Sequence, residues 1–174
     1  MALDKFKDVV DPKRVGVYGG SHGGFLTGWL IGHSDYKHLW SAAILWNPVL
    51  NMAYMLNMTD IPDWIYACCF KKELSFTDLN PEQNAALFSK SPMSVVKNVT
   101  TPSLLLIGEK DARVPPHAAY YYHHALQEMG IETRLYNYPE SGHALLPTEH
   151  TVDATLNIAL WFDKYLIEPF ESKV

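Results

Sequence analysis

The sequence has few cysteines and no apolar run long enough to cross a bilayer. Its two cysteines, Cys68 and Cys69, are adjacent, a spacing that resists an ordinary disulfide, and a secreted disulfide-rich domain would contain more of them. Residues 1–7 carry too many charges for a signal peptide. We therefore expect a cytoplasmic protein with no membrane partner.

Basic residues are also few: the chain has 14 lysines and arginines but 19 acidic residues, and its net charge is −5. A nucleic-acid-binding surface needs a basic patch, and no cluster of basic residues supplies one, so we expect no nucleic-acid partner. The sequence also has no HExxH or CxxC motif, and no metal or cofactor is expected. What is present is a chain of 174 residues with 48% apolar and 19% charged residues, typical of one globular domain with a sizeable core.

A glycine-rich turn at residues 19–23, GGSHG, joins a predicted strand to a predicted helix. Gly19 and Gly23 are expected to avoid side chains that would clash where the strand and the helix meet. Such a turn is a nucleophile elbow, which strains the backbone of Ser21, raises its hydroxyl above the sheet and leaves the backbone N–H of His22 facing a developing oxyanion. The alternative, a phosphate-binding loop, lacks its lysine and its Gly-x-Gly-x-x-Gly spacing.

The rest of the chain alternates between buried strands and helices. Strands are predicted at 15–18, 41–46, 103–108 and 133–138, and helices at 25–32, 82–88, 117–129 and 152–166. Residues 51–98 are expected to form a helical excursion that packs on the sheet or lines a pocket. The buried faces of the last two helices are predicted to hold Tyr120, Tyr121, Leu126 and Met129, and Leu156, Ala159, Leu160 and Phe162. This alternation predicts an α/β fold with a parallel sheet of about four strands and helices on both faces.

A serine nucleophile needs a base to remove its proton and a carboxylate to hold that base in the right tautomer. Parallel α/β sheets gather reactive groups at the carboxyl ends of their strands. Asp111 and Glu109 both follow the third strand and position does not separate them, whereas His143 lies in a glycine-containing loop after the fourth strand. Together with Ser21, these residues follow the order serine, acid, histidine, which is the order of α/β-hydrolases.

The other histidines do not predict a second site. The side chain of His22 is expected to point away from the serine, so only its backbone N–H is assigned to an oxyanion hole. His123 and His124 are expected on a helix surface rather than around a metal, because no second ligand pair completes a site.

On these residues the chain resembles the prolyl oligopeptidase family of serine peptidases, and within it the acylaminoacyl-peptidase branch. The matching motifs are DPKRV at 11–15, GGSHGG at 19–24 and DARVP at 111–115, and for the branch NPV at 47–49 and TDIPDW at 59–64. The similarity runs from Asp11 to Leu166. It implies a partial α/β-hydrolase fold in which residues 1–174 are the C-terminal portion of a catalytic domain.

The resemblance implies removal of an N-acylated, typically N-acetylated, residue from the N-terminus of short peptides through an acyl-enzyme on Ser21. His143 is then the general base and later the general acid, and Asp111 is its orienting carboxylate. Arg113 corresponds to the family arginine that binds a backbone carbonyl of the substrate. Residues 52–70 are expected to form a wall of the pocket for the released residue.

The resemblance also implies what this chain does not supply, namely an N-terminal β-propeller and earlier strands whose loop provides a second oxyanion donor. The first strand is therefore expected to be an open sheet edge that permits association with a second copy or another partner. Two alternative functions stay open. One is a small-acyl esterase or thioesterase, because a fold does not fix its substrate. The other is a catalytically silent fragment that acts by association.

Overall fold

The sheet consists of parallel strands that lie side by side in chain order. A computed structural model of the chain describes residues 5–6, 8–77, 79–144 and 147–167; residues 1–4 and 7, part of the stretch considered for a signal peptide, lie outside these ranges. The four-stranded sheet has the order β1-β2-β3-β4, and it confirms the predicted strands with β1 at Gly16–Gly20, β2 at Ala42–Trp46, β3 at Ser103–Gly108 and β4 at Thr133–Tyr138. The edges of the described sheet are therefore β1 and β4.

Helices connect and cover these strands. They are α1 at His22–Gly32, α2 at Met52–Leu56, α3 at Pro62–Phe70, α4 at Pro81–Ser89, α5 at His117–Glu128 and α6 at Thr148–Leu166, with 3₁₀ turns at Lys37–Leu39 and Pro92–Asn98. The predicted start of α4 is confirmed, because the side chain of Asn80 accepts a hydrogen bond from the Gln83 N–H at 2.9 Å. The predicted end of α5 is confirmed by Gly130, which has a φ of 71°.

Successive side chains of the two central strands, β2 and β3, point to opposite faces of the sheet. The core therefore has one part on each face. One face is covered by α1 and α5 and includes Ile31, Ala43, Leu45, Leu105, Ile107, Tyr122 and Leu126. The other face is covered by α6 and includes Ala42, Ile44, Leu104, Leu106, Ala154 and Trp161. Burial on both faces explains why β2 and β3 are apolar at nearly every position. The prediction of helices on both faces is confirmed.

The buried faces of α5 and α6 agree only in part with the predicted ones. Leu126 is buried, and Tyr120 and Phe162 pack against the core as predicted. On α5, Tyr121 is 69% exposed and Tyr122 is buried; on α6, Leu156 and Leu160 are 57% and 65% exposed. Trp161 of α6 is buried against the sheet instead. The prediction was wrong at the two leucines of α6 because this helix carries apolar residues on much of its circumference, and burial of the large indole ring removes more apolar surface from water than burial of a leucine.

The helical excursion packs as predicted. Its α2, α3 and α4 form a third apolar cluster that includes Met52, Met55, Leu56, Ile65, Tyr66 and Leu87. Val49 and Val114 join this cluster, and they follow β2 and β3 in the chain, so the layer lies over the carboxyl ends of the strands. Among the described residues, no helix has the length and apolar character that crossing a membrane requires.

Candidate active site

Ser21 lies in the tight turn between β1 and α1, with φ at 57° and ψ at −120°. A positive φ is strained for a residue with a side chain, and such strain is concentrated at functional turns. The strand and the helix approach closely here, since a Cβ on Gly19 would lie 2.1 Å from the carbonyl oxygen of Gly23. The predicted steric need for glycine is wrong at Gly23, where a Cβ meets no described atom within 4 Å; the second crowded position is Gly24, 2.6 Å from the Cβ of Pro48.

The structure brings the predicted serine, histidine and acid into one chain of hydrogen bonds. The His143 Nε2 atom is 2.9 Å from the Ser21 Oγ atom, and its Nδ1 atom is 2.8 Å from Oδ2 of Asp111. The imidazole is one-third exposed (33%), whereas the carboxylate is fully buried (0%). A neutral imidazole that donates Nδ1–H to a carboxylate and accepts at Nε2 is arranged to draw a proton from the serine hydroxyl.

Backbone donors orient the buried carboxylate. Oδ1 of Asp111 accepts the N–H groups of Arg113 and Val114, each at 2.9 Å, which leaves Oδ2 for the imidazole of His143. Glu109, the other acid that the sequence offered, is exposed on the surface of the same loop. The structure therefore brings Asp111 to the histidine and leaves Glu109 outside.

The helix that begins after Ser21 supplies donors for negative charge. His22 is the first residue of α1, so its backbone N–H has no acceptor within the helix, and the helix dipole favours an anion at this end. The imidazole of His22 stacks on Phe25 at 5.2 Å and meets the ring of Trp64 edge-on at 5.6 Å, between ring centroids. The assignment of the His22 N–H to an oxyanion hole stays a prediction.

Arg113 forms a two-point ion pair with Asp60. Its Nε donates to Oδ1 at 2.6 Å and its Nη2 to Oδ2 at 3.2 Å. The hydrogen bond from the guanidinium lowers the pKa of Asp60, and the same bond raises the pKa of Arg113. Both side chains are nearly half exposed, 44% and 46%, so the pair adds little to stability and its main effect is to fix the direction of the guanidinium.

A small cavity with a mixed polar and apolar lining opens beside the predicted triad of Ser21, His143 and Asp111. Its volume is about 270 Å³, and its lining includes Ser21, Val49, Met55, Ile61, Trp64, Arg113, Val114 and His143. Met55, Ile61 and Trp64 come from the segment 52–70 that was expected to form a pocket wall. A larger cavity of about 530 Å³ between α2, α4 and α5 does not include the triad residues.

The remaining candidates lie apart from this site. His124 is exposed on α5, and the Nδ1 atom of the half-buried His123 is 3.1 Å from the Oγ1 atom of Thr133. Cys68 and Cys69 are both free thiols. Within the described ranges, no three His, Cys, Asp or Glu side chains are grouped to hold a metal ion.

Two polar residues beside the triad had no role in the sequence reasoning. Asp60 pairs with Arg113, and the side chain of Asn47 bonds both the end of β3 and the backbone of His143. The available signals were the acid in the TDIPDW motif and an asparagine before a proline at a strand end. Neither signal identifies the partner residue, because both contacts join distant parts of the chain.

Comparison with known proteins agrees with this geometry. The model of the prolyl oligopeptidase family matches residues 2–168. The acylamino-acid-releasing enzyme of Arabidopsis thaliana is 41% identical over 158 residues, which are 90% of this chain and 20% of that protein. The enzyme of the same name from Mus musculus is 40% identical over 159 residues, 90% of this chain and 21% of that protein. The chain thus spans about a fifth of the length of these relatives.

Solved structures share the fold at lower sequence identity. The uncomplexed acylaminoacyl peptidase of Pyrococcus horikoshii superposes with a TM-score of 0.80 at 24% identity, covering 97% of this chain and 27% of that one. A puromycin-hydrolyzing peptidase of Mycobacterium tuberculosis gives 0.79 at 21% identity, covering 95% and 24%. The predicted partial α/β-hydrolase fold is confirmed. Because the family model matches residues 2–168, which are most of this chain, the chain belongs to the prolyl oligopeptidase family.

Proposed function

We propose that this chain carries a serine hydrolase site of the acylaminoacyl-peptidase type, which releases an N-acylated amino acid from short peptides through an acyl-enzyme on Ser21. The observation that carries the proposal is the continuous hydrogen-bond chain from the Ser21 hydroxyl through His143 to the buried carboxylate of Asp111. The serine end of this chain of hydrogen bonds lies in a strained turn, which supports nucleophilic attack, and next to the N-terminus of α1, which supports stabilisation of an oxyanion.

In the first half of the proposed reaction, the Ser21 oxygen attacks the carbonyl carbon of the N-acylated residue, at the peptide bond to the next residue. His143 takes the hydroxyl proton on Nε2, and the carbonyl electron pair moves to the oxygen, which lies near the His22 N–H. The C–N bond then breaks, and the imidazolium returns the proton to the leaving amine. Asp111 stabilises the imidazolium and holds its tautomer throughout.

In the second half, water replaces the released peptide. His143 removes a proton from the water, whose oxygen attacks the acyl carbon, and the bond to Ser21 breaks as the imidazolium protonates the serine oxygen. The products are the free N-acyl amino acid and the regenerated hydroxyl. No cofactor is needed to balance these steps.

The surroundings of Ser21 support an N-acylated amino acid as the group transferred. The cavity of about 270 Å³ beside the serine is large enough for one side chain, and the guanidinium of Arg113 at its lining offers donors to an amide or acyl carbonyl oxygen. Relatives about 40% identical carry the name acylamino-acid-releasing enzyme, which supports the same substrate class.

Hydrolysis of matched chromogenic substrates tests this proposal. We expect the chain to cleave an N-acetylalanyl anilide, to prefer it to the unacetylated alanyl anilide, and to lose this activity in Ser21→Ala. Cleavage of a short acyl ester without the anilide would contradict a peptidase and favour the esterase. A folded chain that cleaves neither would favour a silent fragment, for which the open edge at β1 is the candidate association surface.

A further inference from the structure

Asn47 lies at the carboxyl end of β2 and is almost fully buried, with 2% exposure. Its φ of 40° is in the left-handed region, which asparagine tolerates better than most residues. A buried amide side chain is costly unless its donors and its acceptor are bonded. The bonds that this amide makes therefore indicate why an asparagine stands here.

The side chain of Asn47 connects the two loops that carry the acid and the base. Its Oδ1 accepts the N–H of Gly108 at 2.8 Å, at the point where β3 leads into the loop of Asp111. Its Nδ2 donates to the carbonyl oxygen of His143 at 2.9 Å and to that of Gly142 at 3.3 Å. The acceptor and the donor group of the amide are therefore both used, each on a different loop.

The backbone around Asn47 is bonded to the serine as well. The Ser21 N–H donates to the carbonyl oxygen of Trp46 at 2.8 Å, and the Val49 N–H donates to the carbonyl oxygen of Ser21 at 3.3 Å. Asn47 thus lies between Trp46 and Val49, whose backbone groups bond the backbone of Ser21. Its side chain bonds the loops that carry Asp111 and His143. The three segments that carry the triad meet at this one residue.

We propose that Asn47 is a positioning residue for the triad: by bonding the backbone of His143 to the end of β3, it keeps the imidazole in line with both Ser21 and Asp111. It does not touch the reacting atoms. The loop of His143 is otherwise a glycine-containing connection, and a displacement of about 1 Å at a reacting group lowers a rate by about 10²-fold. The kinetic part of this inference rests on the proposed function, whereas the placement of the imidazole does not.

Two substitutions separate the side chain from the backbone strain. Asn47→Gly removes every side-chain bond and accepts the positive φ without penalty. Asn47→Asp keeps an acceptor for the Gly108 N–H but turns a carboxylate oxygen toward the carbonyl oxygens of Gly142 and His143. The matched control is Asn51→Gly, because Asn51 belongs to the same connection and its side chain caps α2 by accepting the Tyr54 N–H at 3.0 Å.

The test uses the full chain with isotope-labelled histidines. The first readout is the NMR resonance of the His143 Nδ1 proton, which is sheltered from exchange when it is bonded to Asp111. The second is the labelling of Ser21 by a fluorophosphonate, separated into a maximal rate and a half-saturating probe concentration. Melting curves establish which variants are folded.

We expect the wild type and Asn51→Gly to share the resonance and the labelling rate. Folded Asn47→Gly and Asn47→Asp should lose or broaden the resonance and label about 10²-fold more slowly, with the half-saturating concentration unchanged. A folded variant at position 47 with the wild-type resonance and rate would overturn the proposal. So would a wild type without the resonance, or unfolding of both Asn47 variants while Asn51→Gly folds, which would indicate a purely structural role.

The readouts also separate this inference from the proposed function. A folded wild type that shows the resonance but takes up no probe would reject the hydrolase function. The role of Asn47 would then be decided by the resonance alone: its loss in Asn47→Gly would support positioning, and its persistence would overturn it.

Discussion

Arg113 and Asp60 are joined both through their side chains and through the backbone around them. Besides the two-point ion pair, the Thr59 Oγ1 donates to the carbonyl oxygen of Arg113 at 2.6 Å, and the Asp60 N–H donates to the carbonyl oxygen of Ala112 at 3.0 Å. The TDIPDW segment is thereby fastened to the loop that carries Asp111. The guanidinium is held at the lining of the cavity beside Ser21, where the proposed function requires it to bind a substrate carbonyl.

Replacing Asp60 by asparagine is expected to weaken substrate binding more than turnover. Asp60→Asn removes the charge that orients Arg113, so KM for an N-acetylated anilide should rise several-fold while kcat changes little. Stability should change little, because both side chains of the pair are nearly half exposed and solvent screens their charges. The control is Glu140→Gln, which breaks an exposed pair with Lys110 on a neighbouring loop. A fall in kcat at unchanged KM would contradict this role.

The effect of Asp60 should not depend on pH near neutrality. The hydrogen bond from Arg113 lowers the pKa of Asp60 in the folded chain. The ion pair is therefore fully formed above the pKa of an unfolded aspartate, and it is lost only as the pH falls through the lowered pKa of the folded chain. The ratio of KM between Asp60→Asn and the wild type should stay constant between about pH 5 and pH 9. Steady-state kinetics across this range measure it, and a ratio that approaches unity near neutral pH would argue against the ion pair.

Alanine substitutions at two glycines of the elbow should have opposite outcomes. A Cβ on Gly19 would lie 2.1 Å from a backbone oxygen, so Gly19→Ala should lower the free energy of unfolding by about 1–3 kcal/mol. A Cβ on Gly23, in the first turn of α1, meets no described atom within 4 Å, so Gly23→Ala should be neutral or stabilise the fold by up to about 1 kcal/mol. Denaturant titrations of the two variants provide the comparison. Equal midpoints would show that the close approach of β1 and α1 is absent.

The two acids after β3 should differ in their effect on the serine. Asp111→Asn removes the carboxylate that holds the imidazole of His143, and the labelling rate of Ser21 by a fluorophosphonate should fall by about 10⁴-fold. Glu109→Gln changes an exposed side chain and should leave the rate unchanged. Comparable losses in both variants would contradict the assignment of Asp111.

Much of the fold was predictable because its signals are local. The apolar run of β3 and the start of α4 each depend on neighbouring residues, and both are found as predicted. The choice of buried face on α6 was not predictable, since Leu160 and Trp161 are both apolar and only the sheet decides between them.

The site shows the same division between local and distant information. The elbow at Ser21 follows from its own glycines, whereas Asp111 and Glu109 follow the same strand and are separated only by backbone donors that turn one of them inward. The bonds of Asn47 join residues 61 and 96 positions away, and no local pattern specifies contacts of that range.

The central claim is that Ser21 is an activated nucleophile in this chain, and counting fluorophosphonate adducts by intact mass tests it most directly. Because His143 Nε2 lies 2.9 Å from the serine oxygen, we predict one adduct per folded wild-type chain and none in Ser21→Ala. Ser34→Ala, which changes an exposed serine, is the control and should carry one adduct. A folded wild type without an adduct, or an adduct that persists in Ser21→Ala, would contradict the account.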